Sequence, residues 1–252
     1  MSVSSGQYDD AVTATYSQND QAVGRLHAEL PTLLAVLGDV TGRHGLDLAC
    51  GTGFYTRLLS RCGADHVVGV DASPAMIESA RTMTAPDERI EYRVHDVATL
   101  PDIGTFDIVT AGFLLNYAQT RRQLGDMCAD IAARLRPGGR FVGSLPMSTY
   151  DWRRPLAARY GVTFDYSHDM SDGENFTFTL HFSPPLTLVN CYWRNETYQA
   201  ALEDAGLVNV RMTPWQPSAE AINRFGLDFW KPWLANPTHM VISAVQPIRS
   251  EL

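Results

Sequence analysis

Short apolar runs alternate with amphipathic stretches from residue 44 onward. GLDLA (45–49), HVVGVD (66–71), IEYRVHD (90–96), FDIVTAGF (106–113) and RFVGSL (140–145) are apolar nearly throughout and rich in Val and Ile. Strands covered on both faces have that composition. Between them, residues 54–62 carry helical spacing. SPAMIESARTM (73–83) offers Ser73 as N-cap and Pro74 in the first helical position. RRQLGDMCADIAARLRPGG (121–139) reads as a helix that stops at Pro137-Gly138-Gly139. Strands alternating with helices predict βαβ units and a parallel sheet.

The pattern differs on either side of this block. In residues 8–37, Val23, Leu26, Leu30, Leu33, Leu34 and Leu37 fall on one helical stripe, with a break expected at Pro31. After 146, YGVTFDY, NFTFTLHF and LTLVNCYW look extended and alternating, separated by SHDMSDGE and SPP. They suggest an antiparallel insertion. NETYQAALEDAG (195–206) then reads as a helix ending on Gly206, and LVNVRMTPW (207–215) and HMVISAVQ (239–246) as two more strands. The expected fold class is α/β: a Rossmann-like, doubly wound, mostly parallel seven-stranded sheet with an inserted antiparallel β lid. One domain would span 1–252. Its parts would be a helical lid (1–40), a cofactor-binding half (44–146), an inserted β substrate cover (147–194) and a return to the main sheet (195–252).

Composition narrows the function classes. The 252 residues are 45% hydrophobic and 19% charged, which suits a soluble enzyme with its own core. No run approaches the roughly 18 apolar residues of a membrane span. The start lacks the basic and apolar regions of a secretory signal, and the four cysteines are far apart. A cytoplasmic protein with reduced thiols is expected. The net charge of −8 disfavours a nucleic-acid partner. Lys231 is the sole lysine, so Schiff-base chemistry elsewhere is nearly closed off. Nine aromatic residues fall in 1–146 and sixteen in 147–233. That imbalance suits a cover over a flat organic substrate, or an insertion that needs its own core.

LDLACGTGFYT (46–56) carries the chemistry. Gly51 and Gly53 allow a sharp turn and close ligand approach. A dinucleotide loop needs a third glycine, where this chain has Thr56. Asp47, four residues before Gly51, would repel a pyrophosphate and attract an ammonium, directly or through water. Asp71 ends the second strand, 18 residues after Gly53, where a carboxylate can take both ribose hydroxyls. S-adenosyl-L-methionine fits the description of a ligand with a ribose and a cationic end but no phosphate.

LDLACGTGFYT, VVGVDAS, VHDVATLP, FDIVTAGFLLNYA and LRPGGRFVGS resemble, in order, the signature segments of class I S-adenosylmethionine-dependent methyltransferases. The usual first glycine of the loop is Ala49 here. The resemblance implies cofactor contacts from Asp47 to the ammonium and from Ala49, Cys50, Gly51 and Gly53 to the methionine moiety. It implies Asp71 on the ribose, Ala72 and Met76 on the adenine, Asp96 and Val97 on the adenine edge, and Ala111 near the sulfonium. Other roles stay open: a turn cap for Asp96 and helix core for Met76. YDDAVTATY resembles the family's lid helix, with Tyr8 and Tyr16 facing the site; the alternative is an amphipathic helix with two half-buried tyrosines.

Acceptor contacts are expected from Phe113, Asn116, Tyr117 and Trp193. No catalytic side chain can be assigned, since positioning and water exclusion suffice for many such transfers. His168 and His181 are conceivable bases, and a surface or packing role competes for each. No metal site is expected, DMSDGE reading as a solvated turn. The C-terminal part is loosely similar to small-molecule methyltransferases of bacterial specialised metabolism that N-methylate flat heterocycles, as in toxoflavin-type azapteridine pathways. The expected reaction is methyl transfer to a nitrogen or oxygen of a small, flat acceptor. The alternatives are a non-catalytic S-adenosylmethionine-binding module or a nucleotide-dependent oxidoreductase, the latter opposed by Asp47 and the absent third glycine.

Overall fold

The apolar runs become strands of one sheet because both of its faces are covered. The computed structural model describes residues 10–154, 157–165 and 168–248. In chain order, helices α1 (Asp10–Tyr16) and α2 (Leu30–Leu37) precede strand β1 (His44–Leu48). Then come α3 (Phe54–Arg61), β2 (His66–Asp71), α4 (Pro74–Thr82), β3 (Ile90–Val94), β4 (Phe106–Gly112), α5 (Arg121–Ala133) and β5 (Leu135–Pro146). Strands β6 (Val162–Asp165), β7 (Asn175–Leu180) and β8 (Leu186–Cys191) form a separate antiparallel sheet. The chain ends with α6 (Asn195–Asp204), β9 (Val208–Pro214), α7 (Ala219–Phe225), α8 (Leu227–Ala235) and β10 (His239–Val245).

The seven-stranded sheet runs β3-β2-β1-β4-β5-β10-β9. β1 to β5 pair in parallel, and β10 lies antiparallel between β5 and β9. Successive residues feed opposite cores. Val109 and Phe141 join Leu46, Leu124, Ile131 and Leu202 on one face. Ile108 and Val142 join Leu33, Leu59, Val241 and Trp230 on the other. This is the period-two consequence of the pleat. The strand order reverses between β1 and β4, which opens a crevice at their carboxyl ends.

Three elements depart from the sequence reading. The helix expected over 121–139 ends at Ala133, and β5 already starts at Leu135. Leu135 pairs with Phe106 while Arg140 pairs with Ile108, so the Pro-Gly-Gly segment is a bulge inside a strand. Pro31 does not break its helix. A π-turn over Arg25–Glu29 runs straight into α2 and absorbs the missing donor. The freed carbonyl of His27 accepts the N–H of Ser218 (3.0 Å) instead. The helical stretch pauses earlier, at Ala22, which is extended. Helices α7 and α8 were not foreseen, since Gly226 and Pro232 disguise two short helices whose buried side chains include Trp230 and Trp233. No helix among the described residues is long and apolar enough to cross a membrane.

Candidate active site

After β1 the backbone turns left-handed at Ala49 (φ +52°) and Gly51 (φ +53°), and again at Gly53 (φ +83°). The glycines serve different ends. A Cβ on Gly51 would meet nothing within 4 Å, because the space above it is the cleft. A Cβ on Gly53 would lie 2.4 Å from the Tyr92 hydroxyl and 2.8 Å from the Arg57 guanidinium. Gly53 is therefore the packing glycine at the start of α3, and it lines neither of the cavities beside this loop.

Asp47 is buried at 1% exposure. Its two carboxylate oxygens accept the hydroxyls of Thr56 (2.7 Å) and Thr110 (2.9 Å). Burial raises its pKa to about 6, against the opposing pull of those hydroxyls. Thr56, which replaces the third glycine of a dinucleotide loop, thus holds a carboxylate in place. Asp71 accepts the N–H of Gly51 (2.8 Å) and of Ser73 (2.9 Å). Burial pushes its carboxyl up, and the two amides act against that.

Asp71 borders a cleft of about 100 Å³ together with Ala49, Gly51, Ala72, Met76, Asp96 and Val97. Asp96 caps the turn Val97–Thr99 through the N–H of Ala98 (3.0 Å) and also lines the cleft. Met76 is 2% exposed, yet it too reaches the cleft wall. Ala111 corrects by one residue. Its side chain packs in the core, and Gly112, pointing the other way on β4, faces the cleft. Among the described residues, no basic side chain lines this cleft. A smaller adjoining space of about 40 Å³ holds Asp47 and Cys50 beside Arg25. Burial keeps the Cys50 thiol protonated. A carboxylate facing a guanidinium complements the two ends of an amino acid, and the acidic cleft next door suits a sugar diol.

A third cavity, of about 620 Å³, lies between the N-terminal segment, the end of β4 and the antiparallel sheet. Phe113, Tyr117, Tyr160, Phe164, Phe178 and Trp215 supply aromatic walls. Tyr16 borders all three spaces, and Phe113 and Tyr117 separate the cleft from the large cavity. Phe113 holds this place with φ +61°, a conformation bulky residues avoid. Tyr8 lies outside the described residues. Asn116 is fully buried at the cavity wall and donates to Asn190 (2.9 Å).

Trp193 borders none of these spaces. Its indole N–H donates to the Ala118 carbonyl (3.0 Å), and its ring belongs to the core with Tyr198 and Leu202. The expectation of an acceptor contact there is corrected: Cys191 ends β8, and Trp193 already points under α6. His181 sits at the large cavity, 2.7 Å from the Thr163 hydroxyl. His168 pairs with Glu174 in an exposed turn, away from the cleft and the large cavity. In DMSDGE, Asp172 accepts from Arg121, Arg194 and Thr197, so that turn is a tether.

Sequence reasoning missed a charge cluster that fastens the N-terminal segment to the loop after β1. Arg25 bridges Asp20 (3.2 Å) and Glu29 (3.0 Å), and Arg57 reaches Asp20 (3.1 Å) and the Thr52 carbonyl. Tyr55 donates to Glu29 and lies 2.6 Å from Ser144 Oγ. All four charged side chains are less than a tenth exposed. The available signal was Arg57, a charge on the buried stripe of α3, and the i, i+4 pair Arg25–Glu29. His239 and Trp215 in the large cavity were missed too.

Residues 46–139 match a family model described as a methyltransferase domain. The chain is 37% identical over 137 residues to the demethylmenaquinone methyltransferase of Clavibacter sepedonicus, covering 53% of this chain and 54% of that protein. It is 38% identical over 102 residues to the ribosomal protein L11 methyltransferase of Burkholderia vietnamiensis, covering 40% and 31%. The chain thus spans about half the length of the first relative and about a third of the second. An S-adenosylmethionine-dependent methyltransferase from Mesorhizobium loti shares the fold. It has a TM-score of 0.63 at 23% identity, over 86% of this chain and 97% of that one.

Proposed function

We propose that this chain, which has the class I methyltransferase fold and carries that family's domain at residues 46–139, transfers a methyl group from S-adenosylmethionine to a nitrogen or oxygen of a small, flat aromatic or heterocyclic molecule. One observation carries the reading: an acidic cleft suited to the cofactor adjoins a large aromatic cavity, with Tyr16, Phe113 and Tyr117 on the border.

The residues present fit the cofactor. Asp71 would take the ribose hydroxyls, and Ala72, Met76, Asp96 and Val97 would enclose the adenine. Asp47 and Arg25 would face the amino and carboxyl ends of the methionine part. Gly51 would leave the room its missing Cβ vacates. The cleft and its annex together fall short of the roughly 300 Å³ of a small ligand site, so Tyr16 and α1 would shift outward on binding. When bound, the cofactor supplies an already electrophilic methyl group. The chain's task is then to hold the acceptor in line with it and to keep water out. Phe113, on its strained backbone, and Tyr117 stand at that boundary.

A cavity of about 620 Å³ falls within the range of small-molecule sites, and its stacked aromatic walls favour a flat guest over a polypeptide. Calorimetric titration with S-adenosylhomocysteine and with NAD tests the cofactor. Mass spectrometry for a gain of one methyl on flat phenols and N-heterocycles tests the transfer. NAD binding without S-adenosylhomocysteine binding would overturn the reading. Cofactor binding with no transfer to any acceptor would leave a non-catalytic binding module.

A further inference from the structure

The large cavity has a polar edge, with Gln18, Asn19, Gln21, Arg159 and Ser183, and an inner part in which most polar side chains already have partners. Arg25 and Glu29 are paired with each other and with Asp20 and Tyr55. Asn190 accepts from Asn116, and His181 is engaged with Thr163. The Asn116 carbonyl oxygen and the Trp215 indole N–H have no partner, but both have almost no accessible surface for a ligand to touch. His239 differs. It opens β10 at the cavity wall and keeps part of its surface accessible.

Its ring is held on three sides. Nδ1 lies 2.8 Å from the Thr238 hydroxyl. One face stacks on Trp215 at 4.6 Å between centroids and 22° between planes. Phe113 meets it edge-on at 5.4 Å. Nε2 has no hydrogen-bond partner among the described residues. Burial and the nearby Arg25 guanidinium push the imidazole pKa down to about 3, so the ring stays neutral. In the tautomer whose Nδ1–H donates to the Thr238 hydroxyl, Nε2 carries a lone pair. Polar atoms in such surroundings are normally satisfied, and the side chains around the ring, Phe113, Phe164 and Trp215, are aromatic.

Resting on the methyltransferase reading above, we propose that His239 Nε2 is the hydrogen-bond anchor of the acceptor site, and that the acceptor is a neutral flat ring presenting an N–H or O–H donor to it. The ring would slide between the aromatic walls, with Nε2 setting its rotation in its own plane. Phe113 touches His239 and also borders the cofactor cleft, so the anchored edge is oriented relative to the methyl donor.

The probes are two matched pairs: 7-hydroxycoumarin with 7-methoxycoumarin, and 4-hydroxyquinoline with 4-methoxyquinoline. Each is titrated by quenching of tryptophan fluorescence in the presence of saturating S-adenosylhomocysteine. The wild type is expected to bind the hydroxyl forms about tenfold more tightly than the capped forms, as one satisfied hydrogen bond in a dry site allows. His239→Phe keeps the ring and its stack. It should lose that preference while S-adenosylhomocysteine affinity and melting temperature hold. His239→Gln, which restores a polar tip, should recover part of it. Equal binding of both forms by the wild type, a preference that survives in His239→Phe, or no binding of any probe would overturn the anchor. Failure of S-adenosylhomocysteine itself to bind would instead sink the methyltransferase reading. The same titration without it would then decide on His239 alone.

Discussion

Asp47 and Asp71 end neighbouring strands, yet their surroundings give them different chemistry. Asp71 holds two backbone amides and still borders the cleft. Asp71→Ala is expected to weaken S-adenosylhomocysteine binding by about 1–3 kcal/mol through lost charge-assisted bonds, read by calorimetry. Unchanged affinity would contradict the ribose placement. Asp47 has a folded pKa of about 6, above its ordinary 3.8. Cofactor affinity should therefore fall as the pH drops through about 6, by at most about tenfold per unit, and the profile should flatten in Asp47→Asn. The sign for stability is the reverse. A raised folded pKa means that the buried carboxylate destabilises the fold at neutral pH, by roughly 3 kcal/mol for two units, and that this penalty is relieved as the pH falls from 6 towards 4. Asp47→Asn should accordingly melt higher at pH 7 while binding the cofactor worse. Both carboxylates were legible from their positions before and after the glycines. Thr56 and Thr110 as holders of Asp47 were not, because Thr110 is distant in sequence and becomes a neighbour only through the β1–β4 pairing.

At the level of elements, the strands were readable because burial on both faces imposes an unbroken apolar run. The exceptions have local causes. The Pro-Gly-Gly bulge ends no strand, because its flanks pair on either side of it. Pro31 sits where a π-turn has already removed the clash. The N-terminal segment is fastened by Asp20, Arg25, Glu29 and Arg57, whose charges balance. Asp20→Asn would leave Arg25 with Glu29 and the buried Arg57 guanidinium with the Thr52 carbonyl but no carboxylate. Breaking a buried pair of this kind costs about 3–5 kcal/mol, so chemical denaturation should show a loss of that order. If the segment also closes the cofactor cleft through Tyr16, S-adenosylhomocysteine affinity should drop in the same variant. A loss of stability below about 1 kcal/mol would mean that the cluster is solvated.

For the whole molecule, a ligand that binds only the folded state raises its melting temperature. S-adenosylhomocysteine at a hundred times its Kd should add about 2.7 kcal/mol, or roughly 5–10 °C for a domain of this size, while NAD adds nothing. A shift with NAD and none with S-adenosylhomocysteine would place the ligand class wrongly. The sequence by itself determined the sheet and its crevice, because alternating apolar runs, caps and the glycine turn are local signals that burial and backbone sterics impose residue by residue. It also carried the acidic residues of the cleft, whose positions follow from strand ends. Only the tertiary structure decided the large aromatic cavity. Trp215, His239, Phe113, Phe164 and Arg25 come from five distant segments, and their meeting depends on how the inserted sheet and the N-terminal segment dock on the main one. Trp193 was assigned to the cavity for the same reason in reverse: a tryptophan's composition is visible in sequence, but the side on which it packs is set by long-range contacts.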